Sequence, residues 1–370
     1  MLQLSLGIAG TAKNTGKTTA TVAILQELRI RAIPVSITSI GYDGENLDNI
    51  TGLPKPKLWV EPGDILATAE QCFKNSTAGF RILEETQICT PLGRVLIAEV
   101  KRAGLAVTAG PNKSADVKKV ATLLRQIGPG VVIFDGALNR IAPMAETDGL
   151  ILATGAAKNP NIIQLSRETG SIEQICKLPA VPRALELLER EFRDVVLLDP
   201  NLTVIRRRPL SSLLTEADVT DMLPESSPEG SYLYIPGVMS VKALITLRKI
   251  FQEKSGRLFL AFDNPIKLLM TGEPVVIDDV IQDMHQFGVF VGVVRRVPLL
   301  AITVNPFYPE YRVKTQTYQP AFIDPVRLEV SIKRHVQVPV YNIVRHGPQG
   351  LADTILMNRH VWQNPHAMTF

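Results

Sequence analysis

Near the start of the chain, Gly10-Thr11-Ala12-Lys13-Asn14-Thr15-Gly16-Lys17-Thr18-Thr19 gathers the residue types that hold phosphate. Successive backbone N–H groups in a tight loop can cradle phosphate oxygens. A helix starting at Lys17 would add its positive N-terminal end. Gly16 lets the backbone approach a ligand with no Cβ in the way. Lys17 is placed to reach β- and γ-phosphates, and the Thr18 hydroxyl to ligate Mg²⁺. The usual spacing is G-x-x-x-x-G-K-[ST]. Here the first glycine lies one residue further upstream, and Thr11 holds its expected position. Gly10, Thr11, Lys13, Asn14, Thr15, Gly16, Lys17, Thr18 and Thr19 are therefore the expected nucleotide contacts. The absence of an N-K-x-D guanine signature favours ATP, with Mg²⁺, as the ligand.

Two carboxylates are candidates to serve that loop. Val131-Val132-Ile133-Phe134-Asp135 is an apolar strand ending in an acid, a position that can hold Mg²⁺ directly or through water. The competing reading is a turn cap before Gly136. Asp43 follows the second expected strand, at the sheet edge that faces a nucleotide crevice. It could hold metal or orient water, with Glu45 and Asp48 as rivals and a solvated acidic turn as the plain alternative. The expected metal ligands are Thr18, Asp43 and Asp135, and the expected catalytic residues Lys17, Asp43 and Lys13. Lys13 could neutralise charge on the transferring phosphoryl group, in its own chain or across a dimer, or be a solvated loop lysine.

The elements that must position these groups follow from periodicity. Leu2–Ala9 reads as a buried strand, Lys17–Arg29 as an amphipathic helix and Ala32–Ile37 as a second strand, the unit of a parallel sheet. Ser39–Pro62 is a long loop, a length that marks function or mobility. Asp64–Phe73 reads as a short helix, and Val95–Glu99 and Leu105–Thr108 as strands. Ser114 caps a helix that Gly128-Pro129-Gly130 stops, and Leu150–Ala153 is another buried strand. The expected fold is a doubly wound, mostly parallel α/β nucleotide-binding domain over 1–210, a linker at 211–230, a second smaller α/β domain over 231–345, and a tail, 346–370, without pattern. Leu299–Val304 is a strand of that second domain.

Composition sets limits. Forty basic and 36 acidic residues leave a net charge of +4, too balanced to argue for nucleic acid or an anionic membrane. No apolar stretch reaches about 18 uncharged residues, so no membrane span is expected. Cys72, Cys89 and Cys176 are sparse and read as buried free thiols of a reducing cytoplasm. The five histidines stand at no metal-ligand spacing.

The loop pattern G-T-x-x-x-x-G-K-T and the segment Asp135-Gly136-Ala137 resemble those of dethiobiotin synthetases, within the wider class of Min-type and nitrogenase-iron-protein-like ATPases, over residues 1–155. That resemblance implies Lys17, Thr18, Asp43 and Asp135 as the Mg-ATP site, and Lys13 is similar to the signature lysine of some members. The chain departs from dethiobiotin synthetases in its length, its second domain and the lack of a substrate-handling lysine after strand two. Asp135-Gly136-Ala137-Leu138-Asn139-Arg140, the segment Thr147–Ala156 and Ile302-Thr303-Val304-Asn305-Pro306 resemble accessory ATPases of cobalamin-dependent lysine and ornithine aminomutases. The expectation is an ATPase switch acting on a protein partner or within a homodimer. The alternatives are an ATP-dependent ligase or kinase for a metabolite, with Asn139-Arg140 and Asn305-Pro306 at its pocket, and a nucleotide sensor without turnover.

Overall fold

The computed structural model of the protein describes residues 3–43, 58–128, 130–137, 141–182, 185, 188–224, 229–253 and 256–357, the side chains of 42, 43, 137 and 189 excepted. It is a mixed α/β structure whose largest element is a nine-stranded, mostly parallel sheet. The strand order is Val340–Tyr341, Leu299–Asn305, Gly149–Gly155, Gln3–Gly10, Gly130–Ala137, Val35–Ser39, Ile65–Ala69, Gly93–Arg102, Gly79–Thr90. The first seven run parallel; the last two join antiparallel.

Burial on both faces explains the continuous apolar runs at the centre. Leu4, Leu6 and Ile8 lie in register with Val131, Ile133 and Asp135. On this face the first two of those pairs pack with Ile24, Leu25 and Leu28 of the helix Lys17–Ile30. Gly7 and Gly136 belong to the other face, where they lie close to Met144 of the turn Ala142–Glu146. The helix Ser114–Ile127 contacts that turn.

Two compact units divide the described residues. One holds those up to Ser166 and from Leu299 onward; the other is Arg167–Pro298. The division differs from the boundaries read in the sequence. Leu299–Asn305 pairs in parallel with Gly149–Gly155 and so belongs to the large sheet. The stretch 211–230 contains the helix Glu216–Met222, closed by a capping box between Thr215 and Asp218, and lies inside the inserted unit. That unit is built on a five-stranded sheet, Val204–Arg208, Val195–Leu198, Ser231–Ile235, Leu258–Phe262, Val289–Val293, the last three parallel.

Two further readings are corrected. Asp64–Phe73 is not one helix: Ile65–Ala69 is a strand, held between Val35–Ser39 and Gly93–Arg102, and only Glu70–Lys74 is helical. Pairing on both edges outweighed local helix propensity there. The tail is not patternless either. Gln349–Met357 is a helix whose Leu351 and Ile355 enter the main core, and Asp353 pairs with Arg31 at 2.6 Å. Among the described residues no helix is long and apolar enough to cross a membrane.

The cysteines also differ from expectation. Cys72 and Cys176 are buried and free, but Cys89 is exposed. Burial pushes the Cys176 thiol up to about 12, helped by Glu173, and raises that of Cys72. Because the thiolate is the reactive form, the native protein should consume one equivalent of a thiol reagent rapidly and three after unfolding in urea. Three rapid equivalents from the native protein would contradict this packing.

Candidate functional site

The loop between the strand Gln3–Gly10 and the helix Lys17–Ile30 is tied down at several points. Thr11 donates its N–H to the Ala153 carbonyl at 2.9 Å, and its hydroxyl meets that of Thr154 at 3.0 Å. The Thr15 hydroxyl donates to the Ala12 carbonyl within the loop. Two residues take left-handed backbone angles, Asn14 at φ 64° and Gly16 at φ 87°. Gly16 is the helix N-cap, without a side-chain capping bond, and the first turn carries no acid. The helix therefore starts with N–H groups and a positive dipole end that no side chain of its cap satisfies.

Lys17 opens the helix, and its Nζ lies 3.0 Å from Oδ2 of Asp135. Both side chains are largely buried. The Thr21 hydroxyl, one helical turn on, lies 3.3 Å from the other carboxylate oxygen. Asp135 reaches this point because Gly130–Ala137 runs parallel beside Gln3–Gly10, with Asp135 level with Ile8 and, on its other side, with Ser39. The sheet thus brings the expected cation and the expected acid together across 118 residues. Thr18 and Thr19 are half-buried on the first turn and Lys13 is exposed. The backbone of Asp43 pairs with Thr108; its side chain lies outside the described residues, as do Glu45, Asp48, Asn139 and Arg140.

Asn305 is better defined than its sequence context suggested. Its Nδ2 donates to the Asn14 carbonyl at 3.0 Å, and its Oδ1 accepts the Phe307 N–H at 3.2 Å. Its backbone carbonyl accepts from Ala156. A Cβ on Gly16 would come within 3.2 Å of the Asn305 Cβ. Asn305 therefore fixes the carbonyl of the left-handed loop residue rather than merely ending a strand. The signal for Thr21 was weak: a threonine four residues after Lys17 is ordinary helix sequence, and only the fold brings it to Asp135.

In chemical terms the site offers uncapped helix N–H groups, one lysine, two hydroxyls and one carboxylate, a set suited to an oxyanion. The side-chain atoms it could offer a metal are oxygens only, those of Thr18, Thr21 and Asp135. That suits Mg²⁺, which binds through one or two carboxylates and completes its shell with water and phosphate oxygens. Among the described residues no three His, Cys, Asp or Glu side chains converge on a metal-holding cluster. No protein-family model, curated protein or solved structure matches the chain.

Proposed function

We propose that the chain binds ATP with Mg²⁺ at Gly10–Thr19 and uses nucleotide turnover as a switch on a partner protein in the cytoplasm. The observation that carries this is the Lys17–Asp135 pair at the mouth of an uncapped helix. An arriving triphosphate gives Lys17 a stronger, doubly charged partner. Lys17 exchanges Asp135 for phosphate oxygens, and Asp135 becomes available, with Thr18, to hold Mg²⁺. Mg²⁺ held by these residues would supply neutralisation of the charge on the phosphate oxygens. The large parallel sheet, with packing on both faces, supports reading the unit as a doubly wound phosphate-loop domain of the dethiobiotin synthetase-like class. Asn305 ties the loop to a distant strand, which supports a switch. The likeness to aminomutase accessory ATPases supplies the candidate partner, a mutase to be reactivated.

Ligand binding to the folded state alone stabilises it by about 2.7 kcal/mol at a hundredfold excess over Kd. Mg-ATP should therefore raise Tm by roughly 5 °C, and adenosine should not. No shift at any ATP concentration would sink the proposal. ADP release followed with a metabolite panel separates the switch from a ligase or kinase, since a sharp rise with one metabolite would replace the partner by a small-molecule substrate.

A further inference from the structure

Directly after Asn305 the chain forms an antiparallel hairpin, Phe307–Arg312 with Thr317–Phe322. Phe307 stands opposite Phe322, Pro309 opposite Pro320 and Tyr311 opposite Tyr318. Alternate residues and direct partners share a face, so one face reads aromatic, proline, aromatic on both strands. The Phe307 and Phe322 rings meet edge to face at 5.7 Å, and those of Tyr311 and Tyr318 are tilted at 5.2 Å. The face is half open: Phe322 is 68% exposed, Tyr311 50%, and Pro320 is exposed, while Phe307, Pro309 and Tyr318 are half-buried. Contiguous apolar surface of this kind marks an interaction site.

The prolines restrict how the hairpin can be used. Proline has no N–H, so a directly opposed proline pair fits a non-hydrogen-bonded position, where an N–H would point outward. Each outer edge thus lacks a donor at its middle, which disfavours addition of a partner strand. Recognition falls to the face.

Charge indicates what covers it. Between Pro306 and Arg345 there are six Lys or Arg against three Asp or Glu. Glu310 pairs with Arg312, Asp324 caps the helix Pro325–Lys333, and Glu329 is held by Lys333, Arg345 and His346. Lys314, Arg327 and Arg334 are exposed and have no carboxylate partner among the described residues. A second copy would bring the same cations and be repelled. The hairpin tip, Val313-Lys314-Thr315-Gln316, is mostly polar, whereas a bilayer-seeking element buries an apolar surface.

We propose that the aromatic–proline face docks an acidic segment of a partner protein, with apolar side chains on the rings and carboxylates toward the exposed Lys314 at the hairpin tip. Asn305 makes docking responsive to nucleotide: the amide that holds the Asn14 carbonyl also holds the first hairpin N–H. This responsiveness rests on the function proposed above; the docking does not.

The test is fluorescence anisotropy of a labelled Glu-Pro-Leu repeat peptide titrated with the full-length protein. Binding is expected, with no binding of a Lys-Pro-Leu counterpart. Exchanging Tyr311→Ser together with Phe322→Ser should weaken it about tenfold or more, the loss of two exposed aromatic anchors. Raising salt to about 0.5 M should weaken it as well. Both side chains are solvent-exposed, and an unchanged urea midpoint checks that the variant folds. Absence of binding, or equal binding by the variant, overturns the proposal. So does hairpin-dependent binding of a single-stranded oligonucleotide or of phosphatidylserine vesicles in place of the peptide, or a dimer that the double variant dissolves. A change of peptide affinity with Mg-ATP that Asn305→Ala abolishes supports the link to the loop, and an unresponsive peptide affinity in a protein that binds ATP overturns that link. Peptide binding by a protein that binds no ATP leaves docking standing and removes the nucleotide reading.

Discussion

Lys17→Ala should reduce ADP release by roughly 100-fold or more, the loss seen when one preorganised charge-stabilising donor is removed from a reacting site. The same change takes the Lys17 cation from the largely buried Asp135 carboxylate. Breaking a buried pair on one side costs about 3 kcal/mol, so lost activity could reflect lost folding. A second variant separates the two. Lys17→Ala combined with Asp135→Asn removes the buried charge as well and should recover most of the urea midpoint while remaining inactive. ADP release that is unchanged in Lys17→Ala would dismiss the loop as the site of turnover. Recovery of activity together with stability in the double variant would show that Lys17 serves the fold rather than the ligand.

Gly155→Ala should be strongly damaging, although it adds only one methyl group. A Cβ on Gly155 would lie 2.1 Å from the Asn305 carbonyl oxygen and 2.9 Å from its carbonyl carbon and nitrogen. These are backbone atoms of the neighbouring strand, so no rotamer change relieves the clash. The strands must part where Gly155 pairs with Asn305 and where Ala156 donates to the Asn305 carbonyl. Overpacking of this kind costs about 3 kcal/mol. It should also pull Asn305 away from Asn14 and weaken Mg-ATP binding beyond the stability loss. Calorimetry well below the new Tm reads the second effect separately. A urea midpoint within experimental error of the parent would show that the two strands are not this close in solution.

Much of the site was legible because its parts are local. The strand, loop and helix around Gly16-Lys17-Thr18 are contiguous, and the run Val131–Phe134 announces a strand buried on both faces that must end at Asp135. What was not legible depends on partners far along the chain. Ile65–Ala69 holds two alanines and a threonine among its five residues, and only the strands on both sides make it extended. Asn305 acts on Asn14 from 291 residues away, and nothing beside Asn305 in sequence signals that bond. The helix Gln349–Met357 is short, and its apolar positions gain meaning from the Lys17–Ile30 helix they pack beside. The division of the chain was missed for the same reason: an insertion keeps the local pattern of strands and helices while moving the ownership of everything after it.

The insertion also bears on how the chain comes off the ribosome. Gly149–Gly155 is made before Arg167–Pro298, and its sheet neighbour Leu299–Asn305 only afterwards. Until then one side of Gly149–Gly155 is an open edge, the kind of surface on which nascent chains aggregate. Closing so long a loop is slow unless the intervening unit folds first and shortens the effective distance. The loop Gly10–Thr19 is synthesised before the unit Arg167–Pro298, yet it receives its Asn305 clamp only after that whole unit has been translated. Premature stops before that point should yield a protein with the whole loop sequence and no fixed loop.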